Sequence, residues 1–244
     1  MTDVKQFLKS QGPKLIPFFV FVIIYFVFVR DPHGELWTTL LKCAPIFCLM
    51  LYIILKGINL TKDYRYSQII LLGLVFSSGG DALLNIDLFP HGMGSFALAQ
   101  ICYIFAFGFK PLKWLIAVPL YLAGAALVAI VFKDLDEILV IGLPVYVFLL
   151  LTMCWRSLAR AVDSKCFLYI FCAVGSVFFV ISDGLIGVDM FLIKVPHARI
   201  WIMSTYYLAQ FAIALSTAIE LAKKKSPKNL KGRQMSARQH VKTK

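Results

Sequence analysis

The sequence predicts an all-α membrane protein: eight transmembrane helices built as a 4+4 parallel internal repeat, with both termini cytoplasmic. Three observations carry this expectation. First, 60% of the 244 residues are hydrophobic and 16% are charged, with a mean hydropathy of +0.80, against an apolar content of roughly 45–50% in ordinary soluble domains. Second, the charges clump between apolar runs of about 18–23 residues, long enough to cross about 30 Å of hydrocarbon as helix. Third, the chain repeats itself. Residues 73–89, GLVFSSGGDALLNIDLF, align without a gap on 175–191, GSVFFVISDGLIGVDMF, with seven identities in 17, and Asp81 falls on Asp183.

The spans are expected at 15–29, 36–55, 67–86, 92–109, 114–132, 138–155, 166–188 and 200–219. The first is short, and Gly12, Pro13 and a snorkelling Arg30 could lengthen it. Lys5, Lys9 and Lys14 ahead of it resemble a signal peptide, but RDPHGE follows instead of a small-residue cleavage site, so it reads as an uncleaved span. The second span carries Lys42 and Pro45, and its Pro45-Ile-Phe matches Pro144-Val-Tyr in the sixth. The third and seventh are the repeated stretches. The fourth and eighth share Leu98-Ala-Gln and Leu208-Ala-Gln. Matches four spans apart mean parallel halves related by a pseudo-two-fold axis along the membrane normal. The connections are short. Residues 1–221 thus form one eight-helix membrane domain, followed by a basic cytoplasmic tail, 222–244.

Orientation follows from the basic residues. Loops on one side, with the termini, hold 20 Lys and Arg, and the alternate loops hold 4. Cytoplasmic loops carry such an excess. The net charge of +12 therefore sits on one membrane face. The tail KKKSPKNLKGRQMSARQHVKTK reads as a disordered segment touching anionic lipid, with no support for nucleic acid beyond charge. Its HVKTK end lacks adjacent lysines and gives no clear address. The six cysteines are scattered without a CxxC pair, so neither a metal site nor a disulfide framework is indicated.

Within the expected spans only Lys42, Asp81 and Asp183 are formally charged. Each costs at least about 2.5–3.5 kcal/mol at mid-membrane, so such residues pair and mark sites. All three are expected about 8–9 Å below the non-cytoplasmic end at helical rise. Gln100, Tyr206 and Gln210 reach comparable depth, and Ser78, Asn85 and Ser182 flank the aspartates, where plain interhelical hydrogen bonding is the competing reading. Gly79 and Gly80 remove bulk beside Asp81, which lets a helix or a ligand approach. His91 and His197 sit at the non-cytoplasmic interface, as wet histidines or weak head-group contacts.

There is no GxSxG elbow, HExxH or phosphate-binding glycine loop. Two carboxylates and one ammonium balance if one aspartate keeps its proton. Acid beside carboxylate suits general acid catalysis through an oxocarbenium-like state. It equally suits a proton-coupled transporter of small molecules or lipids. Residue types alone leave both open.

At Lys42-Cys-Ala-Pro45, Gly80-Asp81-Ala82, Ser182-Asp183 and Ser204-Thr-Tyr-Tyr-Leu-Ala-Gln210 the chain resembles the YhhN-like membrane proteins, the transmembrane lysoplasmalogenases, over roughly residues 12–221. The vertebrate members are the most similar, through Gly12-Pro-Lys-Leu and Pro45-Ile-Phe-Cys. The resemblance implies hydrolysis of the vinyl ether bond of lysoplasmalogens, residence in the endoplasmic reticulum membrane and no cofactor. The implied partners are a lysophospholipid substrate and the bilayer, with a homodimer left open. Lys42 is then expected to hold Asp81 ionised, since an opposite charge within about 4–6 Å favours the carboxylate. Asp183, lacking that partner, is expected to keep its proton and act as general acid. Asp81 would stabilise the oxocarbenium, with Tyr206 and Gln210 holding glycerol or water.

Overall fold

The computed structural model describes residues 4–29, 34–164 and 166–220; the predicted basic tail lies outside them. Among the described residues all long elements are helices, with no strand. They are α1 (Val4–Phe28), α2 (Leu36–Leu55), α3 (Arg65–Asn85), α4 (Phe89–Phe107), α5 (Trp114–Val131), α6 (Glu137–Ser164), α7 (Phe167–Phe191) and α8 (Ala198–Ser216). Six of the eight are long and apolar enough to cross a membrane; α4 and α8 are the exceptions. The reason is local. These two helices carry polar residues among their apolar ones, including Gln100, Tyr206, Tyr207 and Gln210, which are buried inside the bundle.

Two helices are longer than their apolar runs. The first begins at Val4 and carries Pro13 and Pro17 in its interior, so Gly12 and Pro13 do not interrupt it. The sixth continues past residue 155 to Ser164, and two arginines expected in a solvated loop are buried helical residues. Arg156 donates to the carbonyls of Gly108 at 2.7 Å and Pro111 at 2.6 Å. Arg160 lies over the rings of Tyr66, Phe107 and Tyr169 at 5.0, 4.6 and 4.2 Å. Carbonyls or ring faces meet each cation and offset part of the cost of burying it.

The packing has a simple order. Helix α2 packs on α3, α3 on α4, α4 on α6, α6 on α7, α7 on α8, and α8 back on α2, closing a ring of six. Helix α1 leans on α2 from outside, and α5 leans on α6. Every one of these pairs becomes another of them when four is added to helix numbers one to four and taken from numbers five to eight. Close approach rests on small residues at matched places. A Cβ at Gly73 would lie 2.3 Å from the Tyr103 ring of α4, and one at Gly175 would lie 2.4 Å from Ala212 Cβ of α8.

The interior is filled by Ile46, Leu49, Tyr52, Leu74, Tyr103 and Phe179, all fully buried. Large apolar side chains face outward instead, among them Ile23, Leu115 and Ile141 at 63%, 93% and 71% exposure. Such a belt is stable only against hydrocarbon. The chain is a multi-pass membrane protein.

Candidate active site

Every helix of the ring contributes to the lining of a shared cavity of about 280 Å³, among them Lys42, Asp81, Phe96, Tyr146, Asp183 and Tyr206. It lies toward the end where α3 and α7 finish, here the aspartate end. Asp81 is four residues from the end of α3. Asp183 is eight from the end of α7, because that helix continues to Phe191. It therefore lies about 12 Å below that terminus at helical rise.

Asp81 is sealed. Lys42 Nζ stands 3.9 Å from Asp81 Oδ1 and donates to the Asp81 carbonyl at 3.3 Å. Tyr206 Oη donates to Asp81 Oδ2 at 2.6 Å. The Tyr206 ring is held edge-on by Phe96 and Phe179, with centroids 5.9 and 5.7 Å away. On α2, Pro45 has no N–H to give the preceding turn, and beside it Tyr207 Oη donates to the Lys42 carbonyl at 2.8 Å. Asp81 is 2% exposed. Its two oxygens are already committed.

Asp183 is placed differently. It has no ammonium beside it among the described residues; Tyr146 Oη donates to its Oδ2. Asp183 is half-buried and faces the cavity, within electrostatic reach of Asp81. One carboxyl is thus locked in an ion pair, while the other meets open space with a single hydrogen bond.

Of the residues singled out in the sequence, Lys42, Asp81, Ser182, Asp183 and Tyr206 line this cavity. Ser182 also ties α7 to α8 through the Ile202 carbonyl at 3.0 Å. Gln100 and Gln210 lie fully buried behind it. Gln210 accepts from Tyr103 Oη at 2.9 Å, and Gln100 sits beside the Tyr146 hydroxyl. Asn85 is elsewhere, bonded to Thr38 and Thr39 of α2. Cys43 Sγ approaches the Ser78 carbonyl at 3.5 Å. His91 and His197 are exposed and outside the cavity lining. The bulk removed at Gly80 is taken up by α4, since a Cβ there would lie 2.6 Å from the Phe96 ring.

Sequence reasoning did not nominate Tyr146. Its signal was present in Pro144-Val-Tyr146, where a hydroxyl interrupts an apolar run just where its counterpart Pro45-Ile-Phe47 has none.

The fold and this cavity define a multi-pass helical membrane protein with an acid cluster buried among apolar helices. Residues 37–217 match the model of the YhhN family, and the chain belongs to that family. Lysoplasmalogenase TMEM86A of Homo sapiens is 36% identical over 216 residues, 85% of this chain and 90% of that protein. Lysoplasmalogenase TMEM86B of Homo sapiens is 32% identical over 219 residues, 87% of this chain and 92% of that protein. No solved structure matches.

Proposed function

We propose that this protein is a lysoplasmalogenase: it hydrolyses the vinyl ether bond of lysoplasmalogens to a fatty aldehyde and glycerophosphocholine or glycerophosphoethanolamine. The observation that carries the reading is the inequality of the two carboxyls within one apolar cavity. Enol ether hydrolysis needs a proton delivered to carbon, a negative charge near the resulting cation, and water. Asp183, open to the cavity and held by Tyr146, delivers its proton to the outer vinyl carbon. The carbon bonded to the ether oxygen becomes the oxocarbenium, which the Asp81 carboxylate stabilises. Water adds there and returns a proton to Asp183. The hemiacetal then collapses to the aldehyde and the glycerol hydroxyl, so bonds and protons balance.

Depth supports this substrate. The vinyl ether of a lysoplasmalogen adjoins its glycerol, just below head-group level, and the cluster lies about 6–12 Å below the ends of α3 and α7 at helical rise. The names of the relatives favour hydrolysis over a proton-coupled transporter.

On the same proposal all eight helices cross the bilayer, both termini are cytoplasmic, and the membrane is the endoplasmic reticulum. The halves α1–α4 and α5–α8 are duplicates; helix neighbours that recur four helices later support that. Residues 1–221 form the catalytic domain, and 222–244 form a basic tail on anionic lipid. The test is aldehyde release by purified protein from a lysoplasmalogen, compared with an ester lysophospholipid of equal chain length. Cleavage of the vinyl ether is expected. Release of fatty acid from the ester instead would overturn the reading.

A further inference from the structure

The two halves of the ring are closed unequally at the aspartate end. Between α2 and α3 the crevice is sewn shut. Asn85 Nδ2 donates to Thr38 Oγ1 at 3.0 Å and Thr39 Oγ1 at 2.7 Å, and Lys42 reaches Asp81. In the second half the corresponding crevice lies between α6 and α7. There the gapless repeat puts Gly184 and Gly187 where the first half has Ala82 and Asn85. A Cβ at either glycine would touch no atom within 4 Å, and both line the cavity. The other joint of α6 is tight: a Cβ at Gly142 would lie 2.9 Å from Met93 of α4.

The cavity therefore leaves the ring between α6 and α7 and continues outside it along α5, where Leu120, Ala123 and Leu127 line it. These three occupy one helical face by their spacing. Helix α5 packs on α6 outside the ring, and Ala123 is exposed. The polar side chains are all at the inner end.

Length points the same way. Below Tyr146 the lining extends to Leu151 on the same helix, about 8 Å at helical rise. The hydrocarbon chain of one leaflet spans about 15 Å, half of a core of about 30 Å. Only about half of such a chain fits below the acid, so the remainder must lie in the bilayer, and an opening in the side is required.

We propose that the α6–α7 crevice is a lateral gate, held open by Gly184 and Gly187, through which the hydrocarbon chain of a single-chain phospholipid runs from Asp183 out along α5 into the bilayer. The catalytic arm of the test rests on the lysoplasmalogenase reading; the chain's path does not.

Gly187→Leu and Ala123→Phe fill the gate from opposite walls. The room at Gly187 and the exposure of Ala123 leave the fold unstrained, which an unchanged melting temperature would verify. In vesicles, each variant is expected to lower turnover of a long-chain lysoplasmalogen by about tenfold or more, with a smaller loss for a short-chain analogue. In parallel, a lysophospholipid with a diazirine at its chain terminus should label the 120–127 segment of wild-type protein, and lose that labelling in Gly187→Leu. If wild-type protein releases aldehyde while both variants match it and labelling falls evenly over the outer surface, the gate is refuted and the hydrolase reading stands. If wild-type protein releases no aldehyde but labels on α5, the hydrolase reading fails and the gate survives. Absence of both refutes both.

Discussion

Replacing each aspartate with asparagine separates chemistry from stability, because the two carboxyls are held so differently. Asp81 faces Lys42 Nζ at 3.9 Å in a buried pair. At an effective dielectric near 20, that attraction is about 4 kcal/mol. Removing one partner leaves an unpaired buried ammonium, which costs roughly 3–5 kcal/mol in comparable cases. The Tyr206 hydrogen bond to the carboxylate adds roughly 1.5–3 kcal/mol, part of which an amide oxygen retains. Asp183 has Tyr146 as its one hydrogen-bonding partner among the described residues, a contact contributing about 1 kcal/mol. Asp183→Asn should therefore melt close to wild type, whereas Asp81→Asn should lose several kcal/mol. Both should lose most turnover, since general acid catalysis alone contributes roughly 10²–10⁴-fold. The assay pairs thermal unfolding in detergent with aldehyde release from a lysoplasmalogen. A well-folded Asp183→Asn protein with near-normal aldehyde release would falsify the acid assignment. If Asp81→Asn alone were inactive, the two roles would be exchanged.

Three further outcomes are expected. Tyr146→Phe should lower turnover while leaving the melting temperature nearly unchanged, because it frees Asp183 from its positioning hydrogen bond; equal activity across the pH profile would remove Tyr146 from the site. Gly175→Ala should destabilise by about 1–3 kcal/mol, because its Cβ would lie 2.4 Å from Ala212 Cβ and 3.1 Å from the Ala209 carbonyl; a neutral unfolding curve would show that α7 and α8 can part cheaply. Glycosylation acceptors placed in the connections between α1 and α2 and between α7 and α8 should be modified and one after Lys225 should not, as the charge asymmetry requires; modification of the tail would reverse the topology.

Much of this protein is determined locally. An apolar run has no alternative to helix in hydrocarbon, since every backbone N–H and C=O must be satisfied within the segment. The helix positions were legible for that reason, and the ends were not: α6 runs on to Ser164 because Arg156 and Arg160 find carbonyls and rings to bury against, which no local rule foretells. Lys42, Asp81 and Asp183 stood out because charge in an apolar span is costly and therefore rare. The sequence by itself determined helices, their order, the self-similar stretches around Asp81 and Asp183, and the charged groups. Only the tertiary structure decided that Lys42 and Tyr206 seal Asp81, that Tyr146 holds Asp183 half-open, and that Asn85 binds α2 where Gly187 leaves its crevice empty. The physical reason is distance along the chain. Each of those differences depends on how closely two helices approach. That spacing is set by side chains from separate spans interlocking, as Phe96 does over Gly80, and a residue carries no local mark of which neighbour will arrive beside it.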